Sequence, residues 1–193
     1  MGSGVIALAG GIRARTQNQL RMMVVMGIDP GVASTGFGVV RLAGGKMSAL
    51  DGGVIEVAGG QPAERRLARI QEALAELLTW HEPAAVALED VYFGKNVRSA
   101  ISVGQARGVA LLTAGQRGVP CFDYTPQAVK MAVCGSGAAA KDQVQRMVAT
   151  LLGLPQLPAS DHAADALAVA VCHAAHARPA QALAAQEPEV PVG

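Results

Sequence analysis

The spacing of apolar residues changes along the chain, and this change constrains the fold more than any other feature of the sequence. Near the start, three extended apolar stretches follow one another with glycine-containing turns between them. Beyond residue 60, segments with helical spacing of apolar residues alternate with short apolar runs. A strand meander followed by alternating helices and strands predicts an α/β fold, in which helices cover a mixed sheet.

The pattern predicts five strands and five helices in one domain, which suits a chain of 193 residues. The strands are expected at residues 24–29, 36–42, 47–58, 84–88 and 119–122. The helices are expected at residues 62–80, 96–115, from 125 to the start of a loop at 134, 141–152 and 161–177. Residues 23–178 form the predicted domain. Residues 1–22 and 179–193 are predicted to be disordered, because they lack a clear apolar period.

Composition excludes several classes of protein. Hydrophobic residues make up 51% of the chain and charged residues 16%, which is typical of a folded globular domain. The net charge of +1 excludes a uniformly basic nucleic-acid binder, although it permits a local basic surface. Aromatic residues make up 3%, too few for a base-stacking platform. No apolar run approaches the roughly 20 residues that span a bilayer, so we expect a cytoplasmic protein.

Two of the predicted strands are followed directly by a carboxylate. Asp29 closes the apolar run that starts at Val24, and Glu89 closes the run that starts at Ala84. Because ligand sites in open α/β sheets lie beyond the carboxyl ends of strands, both side chains are expected near such a site. Each residue also has a simpler interpretation, since Asp29 precedes a Pro-Gly turn and Glu89 would be solvated at a strand end.

The last predicted helix opens with a second acidic group. Asp161, His162 and Asp165 are three and four residues apart, so they share one helix face. Clustered carboxylates repel one another, and a divalent cation relieves that repulsion; oxygen ligands suit Mg²⁺ or Mn²⁺. Two such ions would support phosphodiester hydrolysis. Asp161 also fits the N-cap position of the helix, which would leave it outside a metal site.

Basic residues are concentrated in the stretch of chain that follows Glu89. Residues 93–146 hold seven basic residues against two acidic ones, an excess of five positive charges. A DNA phosphate backbone is the natural partner of such a surface, whereas a solvated face is the simpler alternative. The basic residues are Lys95, Arg98, Arg107, Arg117, Lys130, Lys141 and Arg146.

Four blocks in the order and spacing found here resemble the RuvC family of Holliday junction resolvases, and the likeness covers about residues 24–177. The blocks are Gly27–Gly31 with Thr35–Val40, Leu88–Tyr92 with Lys95–Asn96 and Gly104–Gly108, Gly135–Gln145, and Ala164–Ala168. The resemblance implies a ribonuclease H-like fold and a homodimer that nicks two strands of a four-way DNA junction symmetrically. It also implies a role in recombination and repair, with the branch-migration proteins RuvA and RuvB as partners.

The resemblance further implies which residues act. The family's four acidic positions fall on Asp29, Glu89, His162 and Asp165, which would hold two Mg²⁺ or Mn²⁺ ions per subunit. Many members of the family carry Asp at the position of His162, so the neighbouring Asp161 is an alternative ligand here. The residues expected to contact DNA are Tyr92, Lys95, Arg98, Arg107, Lys130 and Lys141.

Two other functions remain open at this point. An ATPase of the actin and sugar-kinase type also has a glycine-rich phosphate loop after its first strand, as residues 27–38 have here. Such proteins need two domains and a second glycine-rich loop, neither of which is evident in 193 residues. A junction-binding protein without nuclease activity is the other possibility. It would differ from a nuclease in having no cleavage for an Asp29 substitution to remove.

Overall fold

The computed structural model describes residues 22–90 and 97–184, with side chains described in 22–90 and 100–177. The strands are β1 (Met22–Asp29), β2 (Ser34–Ala43), β3 (Lys46–Glu56), β4 (Ala85–Glu89) and β5 (Cys121–Tyr124). The helices are α1 (Ala63–His81), α2 (Val97–Gly115), α3 (Pro126–Cys134), α4 (Lys141–Leu152) and α5 (Asp161–Ala184).

The strands form one mixed sheet in the order β3-β2-β1-β4-β5. The first three strands form the predicted antiparallel meander, whereas β4 pairs in parallel with β1 and β5 in parallel with β4. In the β1–β4 register Ile28 lies opposite Leu88. The next residues of the two strands, Asp29 and Glu89, therefore lie side by side at one edge, an adjacency that the sequence pattern did not specify.

The two faces of the sheet carry separate hydrophobic cores. Helices α1 and α2 pack on the face that includes Ile28 and Leu88, and α3, α4 and α5 pack on the face that includes Val25 and Ala87. Side chains alternate between faces along a strand. The carboxylates that follow Ile28 and Leu88 therefore project toward the α5 side.

Helix α5 lies unusually close to β1 and β2, because glycines face it. A Cβ atom at Gly36 would overlap the carbonyl oxygen of His162, and one at Gly27 would overlap that of Ala166. Only a residue without a side chain allows this approach. The contact brings the first turn of α5 to the same sheet edge as Asp29.

Most element boundaries differ from the sequence-based prediction by one or two residues, and two of the differences have a clear physical reason. Strand β5 begins at residue 121 rather than 119, because the Val119 amide donates to the Ala114 carbonyl and so belongs to the turn after α2. Helix α5 continues to Ala184, seven residues beyond the predicted end at Ala177. The prediction stopped the helix before Pro179, but the alanine-rich sequence on both sides of that proline favours its continuation.

The structure also bears on the two predicted extensions. Met22 is the first residue of β1, so it belongs to the sheet, while residues 1–21 lie outside the described part of the chain. The predicted tail at 179–193 is helical as far as 184, and its remaining residues are likewise outside the description. Within residues 22–90 and 97–184, no helix has the length and apolar character needed to cross a membrane.

Candidate active site

Asp29 and His162 are in direct contact at the sheet edge. The Nδ1 atom of His162 lies 2.6 Å from Oδ2 of Asp29, whose side chain is only 20% exposed. An ionised carboxylate can only accept hydrogen bonds, so Nδ1 of the ring donates. A neutral imidazole then keeps its lone pair on Nε2, and the His162 side chain is half exposed. The contact therefore orients the ring and directs Nε2 away from Asp29.

The turn after Asp29 is held by a local hydrogen bond. The buried Thr35 hydroxyl donates to the Gly31 carbonyl at 2.6 Å, which closes the loop between β1 and β2. This bond satisfies a hydroxyl that would otherwise be buried without a partner. Asp29 is thus positioned both by the β1 ladder and by a closed loop, which limits its movement.

Glu89 is the most perturbed carboxylate of the site. Burial, followed by the negative charges of Asp29 and Asp165, raises the pKa of Glu89 from 4.5 to about 7. The positive charges of Lys141 and Lys130 act in the opposite direction but do not cancel these effects. Three carboxylates are therefore close enough to repel one another, which is the electrostatic condition that a cation relieves.

Asp165 shares the same environment and has a direct basic partner. Burial is the main cause that raises the pKa of its carboxyl, and the neighbouring Lys141 opposes the rise. The Lys141 ammonium lies 3.2 Å from Asp165 and 3.1 Å from Asp161, so it bridges two carboxylates of α5. Lys141 is the first residue of α4, and this bridge joins the beginnings of the two helices.

The contacts of Asp161 differ from both sequence-based expectations, which were the N-cap of α5 and a metal ligand. Ser160, not Asp161, caps α5, since its hydroxyl oxygen accepts a hydrogen bond from the Ala163 amide at 3.1 Å. Asp161 instead accepts a hydrogen bond from the Gln145 side-chain amide at 2.8 Å in addition to its contact with Lys141. Sequence analysis missed the role of Gln145, because nothing in the chain indicates which face of α4 meets α5.

A cavity of about 270 Å³ joins the carboxylates to the basic residues. Its lining includes Glu89, Asp165, Lys130 and Lys141, with apolar residues from α3, α4 and α5 around them. Larger surface grooves lie elsewhere, such as one of about 540 Å³ between β3 and α1. The smaller cavity is the candidate site because it alone of the two contains the clustered carboxylates with raised pKa values.

The side chains of the site are of the types that bind a hard divalent cation, but they are not arranged around one. Within the described residues, no three His, Cys, Asp or Glu side chains are arranged to hold a metal ion. The Lys141 ammonium contacts Oδ2 of Asp165, and Nδ1 of His162 contacts Oδ2 of Asp29. Carboxylate oxygens with unfavourable mutual repulsion are nevertheless the donors that Mg²⁺ and Mn²⁺ take. The Lys141 side chain is 54% exposed, so its ammonium can move into solvent when a cation takes its place on Asp165.

The structure does not bring every predicted DNA contact to the site. Arg107 lies on α2, on the other face of the sheet, and its guanidinium is 2.7 Å from the Asp123 carboxylate. Its position therefore gives no support to a DNA contact beside the carboxylates. The predicted contacts Tyr92 and Lys95 lie outside the described residues, as does the side chain of Arg98.

The fold and the site together define a class of protein. The strand order of the mixed sheet is that of the ribonuclease H-like fold. Carboxylates at the ends of β1 and β4 and on α5 define a nuclease of this fold. The family model described as "Crossover junction endodeoxyribonuclease RuvC" matches residues 25–173. The chain belongs to this RuvC family, whose members are divalent-metal-dependent nucleases.

Individual relatives agree with this assignment over most of their length. The chain is 50% identical over 154 residues to crossover junction endodeoxyribonuclease RuvC of Pelotomaculum thermopropionicum, covering 80% of this chain and 94% of the relative. The corresponding protein of Thermomicrobium roseum is 50% identical over 159 residues, covering 82% and 97%. The structure of T. thermophilus RuvC in complex with Holliday junction substrate matches with a TM-score of 0.79 at 42% identity, covering 82% and 97%.

A more distant structure shows how far the fold extends. The yeast mitochondrial Holliday junction resolvase Ydc2 is 14% identical and gives a TM-score of 0.57, covering 82% of this chain and 85% of the resolvase. At this identity the likeness concerns the fold alone. The relatives exclude the ATPase interpretation, since 94% and 97% of their own length aligns with this chain and both are crossover junction endodeoxyribonucleases.

Proposed function

We propose that this crossover junction endodeoxyribonuclease resolves four-way DNA junctions with Asp29, Glu89 and Asp165 as its metal-binding carboxylates. The observation that carries the proposal is the gathering of these three carboxylates at one sheet edge, where burial, and after it the charges of Asp29 and Asp165, raise the pKa of Glu89. The T. thermophilus relative, in complex with a Holliday junction substrate, supports the choice of DNA. The reaction is hydrolysis of a phosphodiester bond, and it belongs to homologous recombination and DNA repair.

Two divalent cations, Mg²⁺ or Mn²⁺, would lower the pKa of an attacking water and offset charge on the phosphate. Asp29 lies between Glu89 and the first turn of α5, so it is placed to be shared by both ions. Glu89 and Asp165 would each bind one of the two ions. Their raised pKa values mean that both become better ligands as they lose protons, so metal affinity rises with pH.

His162 is proposed to complete the ligand set. Its Nδ1 atom now donates to Asp29, so the ring would exchange this hydrogen bond for the ion that Asp29 binds, as Lys141 would leave Asp165. In this arrangement Asp161 is not a ligand, because its oxygens bind the side chains of Lys141 and Gln145. A site with one nitrogen and three carboxylates is softer than one with four carboxylates, which favours Mn²⁺ over Mg²⁺.

Lys130 and Lys141 are proposed to hold the phosphate of the strand being cut. Both line the cavity that contains Glu89 and Asp165, and both lower the pKa of Glu89 through their positive charge. In a site that partly excludes water, such charges stabilise developing negative charge without rearrangement. Tyr92, Lys95 and Arg98 are proposed as further junction contacts on the sequence resemblance alone.

Paired, symmetric nicking requires two copies of the site, and α2 offers a surface for a homodimer. Ile101 and Leu112 are more than half exposed, and Gly104 and Gly108 lie on the same face at three- and four-residue spacing. A Cβ atom at either glycine would meet no atom within 4 Å in the part of the chain that the structure describes, so neither glycine is required for packing among those residues. Small residues between exposed apolar ones suit close contact with a second α2.

The wider setting follows from the family. RuvA and RuvB, the branch-migration proteins, are proposed partners that deliver the junction. A dimer with its two sites on one junction would nick strands of like polarity and leave ends that a ligase joins. We propose that the protein works in the cytoplasm, associated with the nucleoid when bound to DNA.

The proposed function is tested by incubating the protein with a synthetic mobile four-way junction and Mg²⁺ or Mn²⁺. Symmetric nicks across the junction are expected, mapped by labelling each strand in turn. Asp29→Asn, Glu89→Gln and Asp165→Asn should each abolish nicking while leaving junction binding intact in a gel-shift assay. Binding without nicking by the unsubstituted protein in either ion would instead favour a junction-binding protein without nuclease activity.

A further inference from the structure

Asp161 lies beside the proposed metal ligands, yet both of its oxygens are bound by side chains of α4. Its Oδ2 is 3.1 Å from the Lys141 ammonium, and its Oδ1 accepts from the Gln145 amide at 2.8 Å. These contacts lower the pKa of the Asp161 carboxyl, so it is negatively charged at neutral pH. The residue is neither the N-cap of α5 nor part of the buried carboxylate group, which leaves its charge to be explained.

Lys141 links Asp161 to the reaction, because the same ammonium also lies 3.2 Å from Asp165. A divalent cation that takes Oδ2 of Asp165 displaces this ammonium from Asp165. If Asp165 were the only ion-pair partner, the displaced ammonium would then compete with the cation for the remaining carboxylates of the cavity. With Asp161 in place, the ammonium keeps a carboxylate partner 3.1 Å away while Asp165 turns to the cation.

We infer that Asp161 is a positioning residue that holds Lys141 at the rim of the site and so makes Asp165 available to the metal ion. Gln145 fixes the Asp161 carboxylate from the next turn of α4. The ammonium then remains where a DNA phosphate approaches, rather than competing for the ligand. This inference rests on the proposed function, because it takes Asp165 as a metal ligand.

The expected size of the effect follows from the exposure of the pair. The Lys141 and Asp161 side chains are 54% and 68% exposed, and ion pairs this open to solvent are weak. Loss of Asp161 should therefore weaken metal affinity by about twofold to fivefold, rather than abolish it. A direct ligand would behave differently, since its removal costs far more affinity.

The test measures Mn²⁺ binding to the DNA-free full-length chain, by the electron paramagnetic resonance signal of free Mn²⁺. Asp161→Asn should weaken Mn²⁺ binding by about twofold to fivefold. Asp142→Asn is the matched control, because it removes the same charge from the first turn of α4, where Asp142 pairs with Arg146 at 2.8 Å. The control should leave the affinity nearly unchanged. An Asp161→Asn effect no larger than that of the control overturns the inference.

A double-mutant cycle with Lys141→Met separates positioning from direct ligation. In the Lys141→Met background the effect of Asp161→Asn should fall to that of the Asp142 control, because no ammonium remains to be held. An equal loss in both backgrounds would mean that Asp161 acts without Lys141, and it would overturn the inference. Thermal unfolding of each variant confirms that these exposed substitutions leave the fold intact.

The proposed metal site itself is checked in the same titration with Asp165→Asn. Strong loss of Mn²⁺ binding in this variant, together with no effect of Asp161→Asn, overturns the role of Asp161 and leaves the proposed function standing. Unchanged Mn²⁺ binding in Asp165→Asn overturns the metal site, and the positioning role falls with it. The supporting result is loss with Asp165→Asn, a small decrease with Asp161→Asn, and removal of that decrease by Lys141→Met.

Discussion

The imidazole of His162 and the carboxylate of Asp29 meet at 2.6 Å although 133 residues separate them in the sequence. One residue ends the central strand and the other opens the last helix, so this contact joins the two elements that carry most of the site. The contact orients the ring by its Nδ1 atom. The half-exposed ring has Nε2 on the side away from Asp29, so an ion bound by Asp29 would take the place of this hydrogen bond.

The first prediction concerns metal preference. A nitrogen ligand suits Mn²⁺ better than Mg²⁺, so the unsubstituted protein should cut junctions faster in Mn²⁺. His162→Asp should shift the ratio of the two rates toward Mg²⁺, as measured by initial cleavage rates in each ion. Asp142→Asn serves as the control, since Asp142 pairs with Arg146 away from the proposed ligands and should leave that ratio unchanged. Equal rates in both ions, together with no change in His162→Asp, would contradict a ligand role for His162.

The second prediction separates the two lysines of the cavity from the remaining basic surface. Lys130→Ala and Lys141→Ala should each reduce the slope of log affinity against log salt by about one unit, because each loses one phosphate contact. Lys46→Ala is the control, since Lys46 begins β3 at the sheet edge remote from Asp29. Junction binding measured across a salt series checks all three. A slope as steep as that of the unsubstituted protein in both cavity variants would exclude phosphate contacts.

Sequence alone predicted the parts of the fold that depend on local period. The apolar stretches with glycine-containing turns in the first 60 residues identified the meander, and apolar runs identified the strands that end in Asp29 and Glu89. Only the structure shows that these two strands are neighbours and run in parallel. The spacing of Asp165 from His162 placed both on one side of α5.

The remaining features depend on contacts between distant segments, which no local pattern encodes. Which face of α4 meets α5 decides that Lys141 and Gln145 bind Asp161, and the sequence gives no period for that choice. In the sequence Arg107 is indistinguishable from the other basic residues, whereas in the structure its guanidinium pairs with the Asp123 carboxylate. The close approach at Gly36 was equally hidden, since a glycine in a strand has several possible reasons.

The third prediction tests that close approach. Gly36→Ala would place a methyl group against the carbonyl oxygen of His162, which is backbone and cannot rotate away. We expect a loss of stability of about 1–3 kcal/mol and weaker cleavage, because the first turn of α5 must shift. Gly52→Ala is the matched control on the adjacent strand, where the new Cβ atom would lie 3.5 Å from Leu167 in ordinary contact. Urea unfolding compares the two. Equal stability of both variants would contradict the packing role of Gly36.

The fourth prediction concerns the cost of assembling the site without metal. Glu89 has a pKa of about 7 in the folded protein and an ordinary value of 4.5, because burial and the charges of Asp29 and Asp165 disfavour its ionised form. Between these two values the unfolded chain releases the proton while the folded chain retains it. Stability therefore falls as pH rises from about 4.5 through about 7, and it is highest at the acidic end of that window for this group.

Glu89→Gln removes this titration while keeping the shape of the side chain. In a chelator, the variant should be more stable than the unsubstituted protein at pH 8 by about 1 kcal/mol, well below the full linkage value because Glu89 is partly exposed to water. The difference should disappear at pH 4.5, and Asp165, whose pKa is also raised, should leave a smaller slope of the same sign. Urea unfolding across pH 4.5–8 measures both curves.

Saturating Mn²⁺ should then stabilise the unsubstituted protein more than the variant, since only the former keeps all its carboxylate ligands. Two stability curves that stay parallel and do not converge toward pH 4.5 would show that ionisation of Glu89 does not destabilise the folded protein.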